Sequence, residues 1–446
     1  MSNTTDVASL LASGLEHHRS NRLDSAKRLY QQVLDIEPEN ADALNLLGAI
    51  ASQVGDDTRA ITLLRRAVTQ RTGFAEAHNN LGVALKQAGQ LDQAISSYQK
   101  ALVLKPDYVD ACNNLGGALT ETGRAQAALP YLRKALALSN NHIRCRYNYG
   151  KAISRVVPLW QFGMMNDGNR NDAYLQAIER AVRPDMHVLE IGTGGGLLAM
   201  MAARAGARAV TTCEMVPEIA ETARAIIARN GYADRISVIT KKSTEIKLGT
   251  HLRERGGLLV TEIFSNECVG EGALSAVADA RRRLIEPDAQ IIPCAARVMA
   301  ALVGGTALAQ LVSVAAISGF DLSPFNDLAA VQVPLQMDTT RLEFLSDEIE
   351  VLAYDFSDEE GFAKSSILDV PVTQAGTCFG LVQWIRIDLD PRTTFENHPL
   401  RNEGASGWQI VLNRFPDPLT LAPGNVVRIR VEQSQQVLYF DLLRNG

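Results

Sequence analysis

The sequence predicts a multidomain chain with three folds in succession: an all-α helical-repeat solenoid, a doubly wound Rossmann-like α/β domain, and an antiparallel β domain. Three observations predict this. Glycines recur at a fixed interval through the first third, and a glycine-rich turn joins an apolar strand to a helix in the middle. The last third alternates apolar and polar residues with a period near two. At 446 residues the chain is also longer than one ordinary core encloses.

The repeat is counted directly. Gly14, Gly48, Gly82, Gly116 and Gly150 are each 34 residues apart. Ala26, Ala60, Ala94 and Ala128 follow the first four glycines at a constant offset. Tyr30, Leu64, Tyr98 and Leu132 follow at a second offset, and Val33, Ala67, Ala101 and Ala135 at a third. Small residues let two antiparallel helices approach, and the larger one fills the gap between them. Pro38 and Pro106 end second helices. Four units cover roughly residues 7–142, and a helix containing Gly150 is expected to cap them. This pattern resembles the tetratricopeptide repeat, whose stacked helix pairs present a concave face to extended peptides or partner proteins. Asn80, Asn114 and Asn148 precede three of the repeat glycines by two residues. A primary amide can grip a peptide backbone without reading its side chains. The arrangement is similar to the asparagine ladder of O-linked N-acetylglucosamine transferases, which implies substrate binding. The alternative is that these amides only tie neighbouring helices together.

The middle third begins with His187–Ile191 (HVLEI), an apolar strand leading into Gly192, Gly194 and Gly196 and then a helical run. AVTTCE, RISVITKK and GGLLVTE read as three further strands with helices between them, the pattern of a parallel sheet. A glycine turn at this point lets a ligand approach the backbone and face a helix N-terminus. Glu214 ends the second strand, where its carboxylate can accept from ribose hydroxyls. NAD and FAD fit a glycine loop alone. Glu190 in the first strand and a single strand–helix series favour S-adenosylmethionine.

From here the chain resembles the protein arginine methyltransferase family. Met164, Asp167, Arg170 and Tyr174 match its M-x-x-D-x-x-R-x-x-x-Y helix, which folds over the cofactor. The resemblance implies that Arg170 holds the methionyl carboxylate, a bidentate role suited to a guanidinium. Glu262 and Glu271, nine apart, resemble the family's paired catalytic glutamates, with Glu267 between them read as a loop carboxylate. Two carboxylates suit the chemistry, since a guanidinium is planar, offers five donors and stays charged up to a pH of about 12. Ser243 or Glu245, after the third strand, is expected at the adenine.

The family places a β-barrel after a class I methyltransferase domain, with a substrate groove between them. It also places a dimerisation arm where SGFDLSPFNDLA lies, which implies a homodimer. Two departures stand out. The family's T-H-W loop here reads Ser406-Gly407-Trp408, so Trp408 is kept for the substrate groove while the histidine position holds glycine. His398, ten residues earlier, is read as a surface histidine or as a substitute partner for Asp167. An aromatic Y-F-x-x-Y stretch is not visible in ISRVVPLWQF. The wording T-E-I-F…G-E-G-A-L resembles the monomethylating branch.

The expected domains are thus 1–152 for the repeats, 153–293 for the cofactor domain and 294–446 for the barrel. The chain is 46% hydrophobic and 21% charged, the balance of a globular protein. A net charge of −6 argues against a protein that coats nucleic acid. The six cysteines form no C-x-x-C pair or metal-ligand spacing, which suits reduced thiols in the cytoplasm and no metal site. No secretory signal or membrane-spanning run of about 20 apolar residues is visible. The reading is a cofactor-dependent protein arginine methyltransferase acting on recruited proteins or peptides. A transferase for another guanidine or amine, or a catalytically weak repeat scaffold, are the alternatives.

Overall fold

The computed structural model describes all residues except 1, 140–142, 158–159, 266–267, 269–271, 338–340, 358–364, 402–407, 434–437 and 444–446, and leaves the side chains of 2–6 and 316 undescribed. It divides into two compact units, Met1–Pro158 and Leu159–Gly446.

The first unit holds α1 (Ser2–Arg19), α2 (Leu23–Ile36), α3 (Ala41–Gln53), α4 (Asp57–Gln70), α5 (Ala75–Gln87), α6 (Leu91–Leu104), α7 (Val109–Glu121), α8 (Ala125–Leu138) and α9 (Ile143–Val156). The counted offsets are the packing code. Ala26, Ala60, Ala94 and Ala128 are wholly buried. Each of the first four repeat glycines lies under the large side chain sixteen residues later: a Cβ added at Gly48 would stand 2.6 Å from Leu64 Cγ, and one at Gly82 2.5 Å from Tyr98 Cε1. Gly150 meets nothing within 4 Å. The unit ends at Pro158 rather than 152 because α9 continues to Val156.

The second unit opens with α10 (Trp160–Asn166) and α11 (Gly168–Ala181), followed by β1 (His187–Ile191), α12 (Leu197–Arg204), β2 (Ala209–Cys213), α13 (Pro217–Arg229), β3 (Ile236–Ile239), β4 (Gly256–Thr261), α14 (Ala273–Arg283) and β5 (Ile285–Ile292). The strands form one parallel sheet in the order β3-β2-β1-β4-β5. Every residue of β1 is buried, as expected of a central parallel strand covered on both faces. The order reverses beside β1, so the crevice at the carboxyl ends of β1, β2 and β4 is where a ligand belongs.

An antiparallel region follows: β6 (Ala295–Gly304), α15 (Thr306–Val312), β7 (Ala316–Ile317), β8 (Phe320–Asp321), β9 (Gln332–Leu335), β10 (Glu343–Phe344), β11 (Ile349–Asp355), β12 (Ser365–Pro371), β13 (Gly376–Asp390), β14 (Thr393–Glu396), β15 (Ile410–Leu421), β16 (Val426–Gln433) and β17 (Leu438–Leu442). A seven-stranded sheet runs through β10-β6-β13-β15-β9, with β11 on β6 and β14 on β13. β12-β16-β17 form a second sheet. One apolar core joins residues of the parallel sheet, such as Val188 and Leu258, to antiparallel ones such as Ile385 and Ile429. The Rossmann-like domain and the antiparallel domain thus share a core within the second unit.

Candidate active site

The glycine turn leaves β1 as predicted, held by the Gly192 and Thr193 amides, which donate to Cys213 O at 3.0 and 3.1 Å. Gly192 has φ +91°, and a Cβ there would lie 2.6 Å from Ile263 Cγ2, so the turn must pass bare beneath the end of β4. Gly194 differs. At φ +48° it meets no atom within 4 Å of where a Cβ would sit, so its bare backbone borders open space. Gly196 is the left-handed residue that starts α12.

Glu214 reaches the backbone at that space, and two further acids, Glu190 and Asp167, act on Arg170. Glu214, after β2, accepts from Gly194 N at 3.3 Å and Val216 N at 2.9 Å, while burial raises its carboxyl above the usual range. Glu190 is 1% exposed. Burial pushes its carboxyl up to about 8, against the pull of Thr212 and the Ala199 amide, and its Oε2 has no partner among the described residues. Asp167 caps α11, accepting from Arg170 N at 3.0 Å through Oδ1. Its Oδ2 is buried without a described partner.

Arg170 lies where α11 meets β4, 2% exposed. Its guanidinium stands 4.9 Å above the Tyr174 ring, and Tyr174 Oη donates to Thr261 O at 3.2 Å. Burial lowers the Arg170 pKa, opposed by Tyr174, Asp167 and Glu190. Nη1 donates to Asn171 Oδ1 at 2.5 Å. The other face of the fork is taken by Glu262, with Nε donating to Oε1 and Nη2 paired with Oε2. Both side chains are under 5% exposed. The two residues expected to hold different ligands hold each other.

The remaining predicted residues divide. Ser243 is buried in a short 3-10 turn after β3, and Glu245 in the same turn is exposed. Met164 is half-buried on α10, but it is Met165 whose Sδ lies 3.0 Å from the position of a Gly195 Cβ. Asn171 donates to Met165 O at 2.9 Å and ties α10 to α11. The adjacent methionines differ only in helix phase, and Asn171 carried no signal at all in the sequence. Glu271, Glu267 and Gly407 lie outside the described residues.

One expectation is corrected. His398 is not a surface residue and does not partner Asp167. It is 3% exposed, its Nε2 lies 3.0 Å from Glu348 Oε1, and its Nδ1 accepts from Leu400 N. It packs edge-on to Trp384, a neighbour no local pattern shows. Trp408, expected to line the substrate groove, is buried, and its indole N–H donates to Phe264 O at 3.0 Å. That bond ties Trp408 to the residue two beyond Glu262.

In the repeats, the Nδ2 groups of Asn80, Asn114 and Asn148 donate to Asn45, Asn79 and Asn113 Oδ1 at 2.9–3.0 Å. Each amide bridges neighbouring first helices and is half-buried, so part of it remains open to solvent.

The site suits S-adenosylmethionine. Unpartnered buried carboxylate oxygens fit a ligand carrying a sulfonium and an ammonium, Glu214 fits a ribose diol, and the open space over Gly194 admits close contact.

Comparisons with known proteins agree with this geometry. The tetratricopeptide repeat family matches residues 17–82, 75–108 and 109–142. The ribosomal protein L11 methyltransferase (PrmA) family matches residues 171–266. An arginine N(omega)-methyltransferase of Streptomyces achromogenes subsp. streptozoticus is 36% identical over 290 residues, covering 64% of this chain and 78% of that protein. Protein arginine N-methyltransferase 7 of Drosophila melanogaster is 33% identical, covering 62% of this chain. The chain spans about half the length of that relative, 47%. Among solved structures, the Trypanosoma brucei PRMT1 enzyme–prozyme heterotetrameric complex with AdoHcy superposes at a TM-score of 0.53 and 22% identity, covering 63% of this chain and 89% of that one. Arabidopsis thaliana protein arginine methyltransferase 10 superposes at 0.51 and 17%, covering 63% and 91%, and both likenesses support the fold. Taken with the glycine turn and the Glu214 carboxylate on it, these matches establish that the chain belongs to the arginine N-methyltransferase family and is an S-adenosylmethionine-dependent enzyme.

Proposed function

We propose that the enzyme transfers a single methyl group to an arginine guanidinium in a protein or peptide drawn in by its repeats. One observation carries the reading: Glu262 already grips a guanidinium, that of Arg170, through both carboxylate oxygens. The same fork fits a substrate arginine once Arg170 is engaged elsewhere.

When bound, S-adenosylmethionine supplies an electrophilic methyl group on a sulfonium sulfur. Glu214 would hold the ribose, Ser243 and Glu245 the adenine edge, and Arg170 the methionyl carboxylate, with Met164 and Glu190 completing the cofactor pocket beside Gly192, Gly194 and Gly196. Glu262 and Glu271 would take the in-plane donors of the substrate guanidinium, fix its plane and draw its charge away from the attacking nitrogen. Positioning and fixed charge in a closed site are the main sources of rate. The proton released from the methylated nitrogen has the Glu262 carboxylate as a nearby acceptor.

Asn80, Asn114 and Asn148 would meet the substrate backbone with the part of each amide not spent between repeats. The segment between α15 and β9 exposes Ile317, Phe320, Phe325, Leu328 and Val331, an apolar set that suits a second copy of the chain in a homodimer. No helix among the described residues is long and apolar enough to cross a membrane. The cytoplasm suits the free cysteines, which in most cases are buried.

The Streptomyces relative supports a second reading, since its printed name specifies arginine without a protein. Labelled cofactor offered with free arginine and arginine-rich peptides together separates the two. Monomethylarginine released on peptide hydrolysis, and lost in Glu262→Gln and Glu271→Gln, is the expected result. Label on free arginine alone would favour the second reading, and no label on either would leave a cofactor-binding scaffold.

A further inference from the structure

We infer that Asn397 is a positioning residue for Glu262, acting across the second unit through Trp408 and Phe264; the inference rests on the proposed role of Glu262.

Asn397 follows β14, is 1% exposed, and spends its polar groups on two separate segments. Its Oδ1 accepts from Ile385 N at 2.8 Å, and its own N–H donates to Ile385 O at 3.3 Å, so it grips β13 as a further strand residue would. Its Nδ2 donates to Trp408 O at 3.0 Å. That bond fixes the backbone of the residue carrying the indole. The indole N–H in turn donates to Phe264 O, two residues beyond Glu262. Phe395 packs on Trp408 with ring centres 5.5 Å apart, and Phe264 stacks on Phe356 at 5.3 Å.

The need for such a strut follows from the topology. β4 ends at Thr261, so among the described residues Glu262 to Ser265 lie beyond the sheet's strands. A carboxylate that must hold a flat cation in one plane loses rate quickly when its backbone wanders, on the order of a hundredfold per ångström. The Trp408 bond supplies the support that the sheet no longer gives, and Asn397 determines where Trp408 stands. A buried asparagine satisfied on both ends by main chain is costly to leave half-satisfied, which ties the two segments rather than merely filling space.

The test uses the full chain with Asn397→Leu, which removes both amide bonds at similar volume, and Trp408→Phe, which removes only the indole donor. Hydrogen exchange followed by mass spectrometry reads mobility of residues 256–265, with the repeats as internal reference. Faster exchange there in both variants, kcat lower by about tenfold, cofactor affinity within about twofold, and a double variant no worse than the worse single are the expected results. Unchanged exchange in 256–265, or losses that multiply in the double variant, would overturn the inference. If Asn397→Leu does not fold, Trp408→Phe paired with Asn397→Asp, which keeps the acceptor and loses the donor, asks the same question. Absence of methylarginine in the wild type would sink the functional reading instead, while the exchange measurement still judges the strut.

Discussion

Replacing Gly194 by alanine separates the needs of the fold from those of the ligand. The backbone there sits at φ +48°, where a Cβ costs about 1–2 kcal/mol. That Cβ would meet no protein atom within 4 Å, so no packing term adds to the backbone cost. The folded enzyme should therefore lose only about 1–2 kcal/mol. The cofactor must occupy the same open space, and one extra carbon in a close-fitting contact costs about 1–3 kcal/mol. At about 1.4 kcal/mol per decade, affinity for S-adenosylhomocysteine should fall about 5- to 150-fold. Titration calorimetry gives the affinity and thermal unfolding the stability. An unchanged affinity would show that the ligand does not lie over Gly194, and a loss of stability well above 3 kcal/mol would show that the space is not open.

Other perturbations sort the same way. Gly82→Ala in the repeats would press a Cβ to 2.5 Å from the buried Tyr98 ring, so overpacking of about 1–3 kcal/mol should outweigh the gain of about 1 kcal/mol in helix propensity. Gly150→Ala, with nothing within 4 Å, should be stabilising, and unfolding midpoints of the two variants should move in opposite directions. Glu190 titrates near 8 when folded, against an ordinary 4.5, so the folded state binds the extra proton. Its contribution to stability is fully present below about 4.5 and is lost as pH rises through about 8. Glu190→Gln should flatten that part of the pH–stability curve, read by unfolding at a series of pH values; an unaltered slope would mean that Glu190 is ionised in the fold. Simultaneous alanine replacement of Asn80, Asn114 and Asn148 should raise KM for long peptides and leave short ones unaffected. Equal KM values for both lengths would remove the repeats from substrate capture.

The repeats and the parallel sheet were legible because each rests on local rules. A 34-residue period records the same helix-to-helix contact four times, and a strand–glycine–helix turn is a backbone necessity. Glu214 was legible for the same reason, since the end of the next parallel strand must face the turn. What stayed hidden depends on distant packing. Nothing near His398 announces that Trp384 and Glu348 bury it, so its polarity read as surface. Trp408 was found through its motif, yet its role depends on Phe264, 144 residues away. That Met165 is the methionine beside Gly195 rests on the rotation of a seven-residue helix, which no spacing determines.

The Arg170–Glu262 pair has a kinetic consequence on the proposed roles. A buried pair cannot lose one partner cheaply, since an uncompensated charge in such a place costs about 3–5 kcal/mol. Glu262 can therefore turn to a substrate guanidinium only when another anion takes over Arg170, and the methionyl carboxylate is the anion assigned to it. Asp167 accepts from the Arg170 backbone amide, not from its guanidinium, through Oδ1. Cofactor should accordingly bind before peptide. Calorimetry with an arginine peptide should show little binding to the enzyme alone and clear binding once S-adenosylhomocysteine is present. Arg170→Met should weaken the cofactor while letting the peptide bind without it, because Glu262 is then left as a buried carboxylate lacking its cation. Equal peptide affinity with and without S-adenosylhomocysteine in the wild type would mean that the pair opens freely, and that the two ligands enter independently.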